Sequence, residues 1–135
     1  MSGEAGAACP CGSGRAYAAC CEPYHLGDVA APTAEALMRS RYTAFARGDG
    51  AYLLRTWHPM TRPEHVDVDD GTVWRRLQIV DTVRGGESDS TGVVEFRAAY
   101  RDASGATGLV EERSRFDRIA GVWLYTGAEV APAAR

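Results

Sequence analysis

All four cysteines of the chain fall within one short stretch: Cys9-Pro10-Cys11, eight residues, then Cys20-Cys21. A disulfide framework spreads its cysteines so that each bridge closes a large loop. This cluster would close almost nothing, and a bridge between adjacent Cys20 and Cys21 would be strained. A thioredoxin-type redox pair needs C-x-x-C, which is absent. Four thiolates around one ion suit zinc, which favours tetrahedral sulfur coordination. Gly12-Ser13-Gly14 supplies a turn whose backbone N–H groups can face the first two sulfurs. Arg15 to Ala19 reads as a short helical turn that returns Cys20 and Cys21 to them. The expectation is one zinc ion held by Cys9, Cys11, Cys20 and Cys21. Four protein ligands leave no open position, so the ion is expected to be structural. Four free thiols that bind no metal are the alternative. His25 either supports the zinc ligands from behind or is an exposed linker residue.

A second group of candidates comes from charges placed on apolar faces. Glu112 and Ser114 share one strand face with Val110 and Phe116, and Asp81 shares a face with Leu77, Ile79 and Val83. Arg41 falls on the helix face of Leu37, Met38, Tyr42 and Phe45. A carboxylate in an apolar cavity has a raised pKa and can act as a general base. Against that stands a buried Arg41–Glu112 ion pair pinning helix to sheet, which neutralises both. The sequence favours the pair, with Tyr42 and Phe116 around it. His58, between Trp57 and Pro59, is either a catalytic group or a cap on a helix end. His65 sits in a polar loop and carries no signal. Tyr42, Tyr52, Trp57, Trp74, Phe96 and Tyr100 read as core, some of them lining a cavity.

Composition narrows the function classes. The 135 residues carry fifteen arginines and no lysine, which excludes Schiff-base chemistry. The net charge of −3 gives no general reason to expect nucleic acid or an anionic membrane. Residues 1–32 hold one arginine against three carboxylates, and zinc with four thiolates adds negative charge, so RNA is an unlikely partner for this segment. No apolar run is long enough to span a bilayer, and Met1 to Ala8 has neither the basic nor the apolar part of a signal peptide. A cytoplasmic location is expected.

The elements that must position these residues follow from periodicity. Residues 22–33, with Pro23, Gly27 and Pro32, read as a linker. Thr33 is a good N-cap, and a helix runs to about Arg47 and stops at Gly48. A shorter helix opens at Asp49 or Gly50 and ends before Pro59. Residues 60–71 read as a polar loop with a helical turn near Trp74. From Leu77 the period changes to two, giving four strands with hairpin-like connections. Helices followed by a four-stranded antiparallel meander make an α+β chain. The division is a zinc module and linker over 1–32 and an α+β domain over 33–135, which has helices and a sheet of its own.

Cys-Pro-Cys-Gly-Ser-Gly, with Cys20-Cys21 eight residues on, resembles the SEC-C zinc motif known from the SecA translocation ATPase. That resemblance implies zinc on the same four cysteines and a small element able to dock a protein partner. The helix-then-sheet order is similar to the cone-shaped nuclear transport factor 2-like (cystatin-like) fold. Leu37-Met38-Arg39-Ser40-Arg41-Tyr42, Thr56-Trp57-His58-Pro59, Val94-Glu95-Phe96 and Glu112-Arg113-Ser114-Arg115-Phe116 resemble the YchJ family along nearly the whole chain. That family often carries a histidine before the last run, where this chain has Glu111. Some members have a second SEC-C motif at the C-terminus, absent here. Ketosteroid isomerase and scytalone dehydratase share the fold and use such a cone for proton-transfer chemistry. Two functions are therefore expected to compete. One is a non-enzymatic binding or adaptor protein with structural zinc. The other is a small-molecule pocket protein or isomerase- or dehydratase-like enzyme drawing on Glu112, Asp81 or His58.

Overall fold

The computed structural model describes residues 7–129. A single 3-10 turn, Tyr17–Ala19, is followed by α1 (Glu22–Leu26), α2 (Ala34–Arg47) and α3 (Gly50–Arg55). Four strands follow: β1 (Val73–Arg84), β2 (Thr91–Arg101), β3 (Thr107–Ile119) and β4 (Val122–Ala128). The strands pair in sequence order as an antiparallel meander, so the architecture is α+β.

The helix boundaries follow from capping. The Thr33 side chain accepts from the Ala36 N–H at 3.0 Å, and Gly48 ends α2 in the left-handed conformation. Asp49 caps α3 through the Tyr52 N–H at 3.1 Å. The short α1 lies where the sequence suggested a linker. Pro23 sits in its first turn, where a missing N–H costs nothing, and Gly27 takes the left-handed C-cap, φ 83°. The two residues read as linker punctuation start and stop a helix. β1 begins at Val73, ahead of the expected Leu77, so Trp74 belongs to a strand. A bulge between Trp74 and Arg76 breaks the alternation that would have revealed this start.

The inner face of the sheet wraps α2. Val94 pairs with Ser114 and Phe96 with Glu112, which sets two polar side chains of β3 against the core face of β2. Leu37, Leu53, Val94, Phe116 and Trp123 are sealed from solvent. Truncating a residue such as Phe116 or Trp123 to Ala costs about 3–5 kcal/mol. The first β-turn passes close under α2: the Ala34 N–H donates to the Gly85 carbonyl at 2.9 Å. A Cβ on Gly92 would lie 2.6 Å from the Gly85 Cα, so that crossing requires glycine.

Beyond α3 the chain leans on β4. The His58 N–H donates to the Tyr125 carbonyl at 2.8 Å, and the Tyr125 N–H to the Thr56 carbonyl at 2.9 Å. This short parallel bridge holds Thr56 and Trp57 against Tyr125. No helix among the described residues is long and apolar enough to cross a membrane.

Candidate functional site

The four cysteines converge as their spacing suggested. Their sulfurs lie within 4.8 Å of one another, and all four residues are buried. Cys11 Sγ is 3.6 Å from Cys20 Sγ, and Cys20 Sγ is 4.0 Å from Cys21 Sγ. These separations are about twice a disulfide bond. Gly12 and Gly14 both take positive φ, which turns the loop back on itself. The backbone N–H groups of Cys11 and Ser13 face the sulfurs of Cys9 and Cys11. Ser13 Oγ lies 3.2 Å from Cys20 Sγ, and Arg15 Nη2 3.7 Å from the same sulfur. Hydrogen bonds from Cys21 and Cys9 push Cys11 down, and the same hydrogen bonds to Cys11 push Cys21 and Cys9 up. The Cys11 thiolate accepts hydrogen bonds from Cys9 and Cys21, and a bound cation would offset the repulsion that keeps those two protonated. This chemistry fits a metal ion.

The cluster is part of the domain core. Cys9 Sγ lies 3.6 Å from Thr43 Oγ1 of α2, and the Cys11 carbonyl accepts from Arg39 Nη1 at 2.8 Å. Arg55 Nη2 donates to the Tyr24 and His25 carbonyls, each at 3.2 Å, and the Arg47 guanidinium lies 4.0 Å from the centre of the Tyr17 ring. These three arginines come from α2 and α3, so the charge on residues 1–32 alone understates the positive charge at this module. His25 neither bonds a cysteine sulfur from behind nor is exposed. Its Nδ1 accepts from the Tyr17 hydroxyl and its Nε2–H donates to the Ser40 carbonyl, both at 2.8 Å. Its ring packs on Tyr52 at 4.6 Å between centroids. Burial pushes its pKa below the ordinary 6.5.

The second site is a pocket of about 180 Å³ between α2 and the sheet. Its walls are mostly aromatic: Tyr42 and Phe45 from α2, Trp57, Trp74 and Phe96, with Met38, Ala98 and Val110 filling the corners. Arg41, Glu112, Ser114 and Tyr125 supply its polar groups. The Arg41 guanidinium lies 4.8 Å from the Trp57 ring centre and 4.6 Å from that of Tyr125. Its Nη1 donates to the Leu53 carbonyl at 2.8 Å and to Thr56 Oγ1 at 2.7 Å. Burial lowers its pKa to about 10, which leaves it cationic at neutral pH. Glu112 Oε2 accepts from the Ser114 hydroxyl at 2.6 Å and the Tyr125 hydroxyl at 2.7 Å. Burial, reinforced by Glu112, raises the Tyr125 pKa, so this phenol keeps its proton.

The expected Arg41–Glu112 ion pair is not formed. Among the described residues the ion pairs join Arg39, Arg97 and Arg113 to carboxylates, and Arg41 joins none. Arg41 is drawn instead to the C-terminal end of α3, and Glu112 to hydroxyls on its own side of the pocket. Asp81 is absent from the pocket as well. A bulge between Ile79 and Asp81 reverses the side on which the strand presents its residues, and Asp81 pairs with outward-facing Glu95. Its carboxylate meets Arg113 at 3.0 Å on the outer face, where Arg113 also binds Glu95 and Glu129. His58 lies outside the pocket lining, and its Nδ1 accepts from the Met60 N–H at 3.0 Å. It braces a turn and does not bond the last helix carbonyls. Sequence reasoning missed Tyr125 and Thr56. The signal for Tyr125 was present, since it shares one face of β4 with Trp123; Thr56 stood only within the Thr56-Trp57-His58-Pro59 run, which gave it no role.

Both parts of this chain match known proteins. Residues 33–128 match the family model described as YchJ, middle NTF2-like domain, and residues 7–23 match that of the SEC-C motif. A UPF0225 protein of Streptomyces coelicolor is 54% identical over 121 residues, covering 90% of this chain and 94% of that protein. A UPF0225 protein of Chromobacterium violaceum is 50% identical over 132 residues, covering 95% and 96%. The solution structure of a SEC-C motif containing protein from Rhodopseudomonas palustris superposes with a TM-score of 0.80 at 34% identity, covering 92% of this chain and 98% of that one. The crystal structure of a SEC-C motif containing protein from Psychrobacter arcticus gives 0.76 at 27% identity, covering 98% and 87%. With its nuclear transport factor 2-like domain preceded by a SEC-C motif, the chain belongs to the YchJ family, whose curated relatives bear the name UPF0225.

Proposed function

We propose that this is a zinc-braced ligand-binding protein. The four cysteines hold one structural zinc ion, and the pocket between α2 and the sheet takes a small organic molecule. A tetrahedral zinc with bonds of about 2.3 Å separates its sulfurs by about 3.8 Å. The Cys11–Cys20 and Cys20–Cys21 separations of 3.6 and 4.0 Å bracket that value. The observation that carries the binding function is Arg41. A buried cation without a counter-ion in contact is costly to maintain, yet this one is 3% exposed and borders an aromatic pocket. A side chain kept only for packing would be cheaper as Met or Leu.

A ligand-observed NMR screen of ring-sized fragments against the zinc-loaded protein tests this reading. Fragments are expected to bind the wild type and to lose binding in Ala98→Leu, which fills the pocket while keeping Arg41. Arg41→Met is expected to weaken them too. A screen that returns no binder, or only binders indifferent to both substitutions, counts against the pocket.

Protein docking is the second reading, and it rests on a different observation. Leu26 and Val29, directly after the cysteine module, are 67% and 52% exposed. An adaptor would use that apolar edge. Leu26→Ser with Val29→Ser would then abolish capture of a protein partner and leave fragment binding unchanged.

A further inference from the structure

The polar groups of the pocket restrict what it can hold. Both hydrogen bonds that Arg41 makes to the protein use Nη1. Its Nε–H and Nη2 groups make none with the described residues. The single sealed side-chain nitrogen or oxygen without a partner among those residues is Arg118 Nε. The unengaged edge of Arg41 is therefore not walled in by packed side chains, and it opens on the pocket that Arg41 lines. Trp57 and Tyr125 flank the guanidinium, so a ligand meets it along this edge. Nε–H and Nη2–H lie parallel on one side of the planar group, the fork that matches the two oxygens of a carboxylate. An anion there also gives the desolvated cation the contact partner it lacks.

Glu112 sets the other requirement. Ser114 and Tyr125 both donate to Oε2, and Oε1 accepts from no described residue. A ligand group near Oε1 must bring a proton, because a second acceptor would be repelled. Aromatic walls on several sides favour a flat body. A cavity of about 150 Å³ accepts a benzene ring, so one of about 180 Å³ accepts one ring with small substituents.

We infer that the pocket binds a small aromatic or similarly flat carboxylic acid that carries a hydroxyl or amino donor, its carboxylate on the Nε/Nη2 edge of Arg41 and its donor on Glu112 Oε1. This inference rests on the pocket being a ligand site. The test separates the two. Calorimetry on the zinc-loaded wild type compares benzoate, benzamide, and 3- and 4-hydroxybenzoate. Benzoate is expected to bind about tenfold tighter than benzamide, and one hydroxybenzoate about tenfold tighter than benzoate. Glu112→Gln, which keeps the shape, is expected to shrink the gain from the hydroxyl and to leave the preference for benzoate over benzamide. Arg41→Lys, which keeps charge and loses the fork, is expected to weaken benzoate and shrink that preference. Benzamide matching benzoate, or neither hydroxyl improving affinity, overturns the inference. The pocket reading survives those outcomes if other fragments bind there. If no fragment of any kind binds, both fail.

Discussion

His25→Ala probes whether the cysteine module and the cone are one folding unit. The substitution removes the hydrogen bonds to Tyr17 and to the Ser40 carbonyl and the tilted ring contact with Tyr52. Each hydrogen bond contributes about 1 kcal/mol net, and a buried aromatic pair about 0.5–1.5 kcal/mol. The expected loss is about 2–4 kcal/mol, read from urea denaturation of zinc-loaded protein at pH 7.5. The cysteines and the cone belong to one buried cluster, so the loss should appear in a single transition. The pH dependence adds a second signature. Burial holds the folded-state pKa of His25 below the ordinary 6.5. As pH falls below about 6.5, the unfolded chain takes up a proton that the folded chain resists, and wild-type stability drops. The variant lacks this component, so the gap between the two proteins narrows from pH 7.5 towards pH 5.5. A loss under about 0.5 kcal/mol, or a gap that widens in acid, would refute the reasoning.

Elemental analysis of protein purified without added metal should find one zinc per chain; less than half an equivalent with the thiols intact would sink the zinc assignment. Chelation should lower the stability of the whole chain, and an unchanged cone transition in circular dichroism would show the module to be separable. Glu112→Gln should cost only about 1 kcal/mol, because the amide oxygen still accepts from Ser114 and Tyr125. A cost of about 3–5 kcal/mol in denaturation would indicate a buried ion pair with Arg41 in solution. Gly92→Ala should cost about 1–3 kcal/mol in the same assay, since its Cβ would press on the Gly85 backbone; a neutral result would show the turn to be slack.

The convergence of the four cysteines was legible because they are close in sequence and their chemistry is specific. The order of elements was legible from capping at Thr33 and Gly48 and from the change of period near Leu77. The pocket was legible only in part. Arg41, Glu112 and Ser114 were placed inward by periodicity, and the structure agrees. Which of them would touch was not. Arg41 chose a carbonyl of α3 and the hydroxyl of the residue that ends it over a carboxylate on β3, a choice set by distances across the fold. Asp81 was misplaced by a bulge, because one extra residue reverses every later side chain on a strand. His25 was left undecided because its partners, Tyr17 and Ser40, lie on opposite sides of the supposed linker.

The claim that the cone is a ligand site through Arg41 is tested most directly by NMR on protein labelled with ¹⁵N-arginine. Arg41→Lys identifies the Nε–H signal by its loss. Titration with a fragment that binds the wild type should shift this signal saturably, in step with the binding isotherm. A signal that stays fixed while the fragment saturates the protein would place the binding elsewhere and contradict the account.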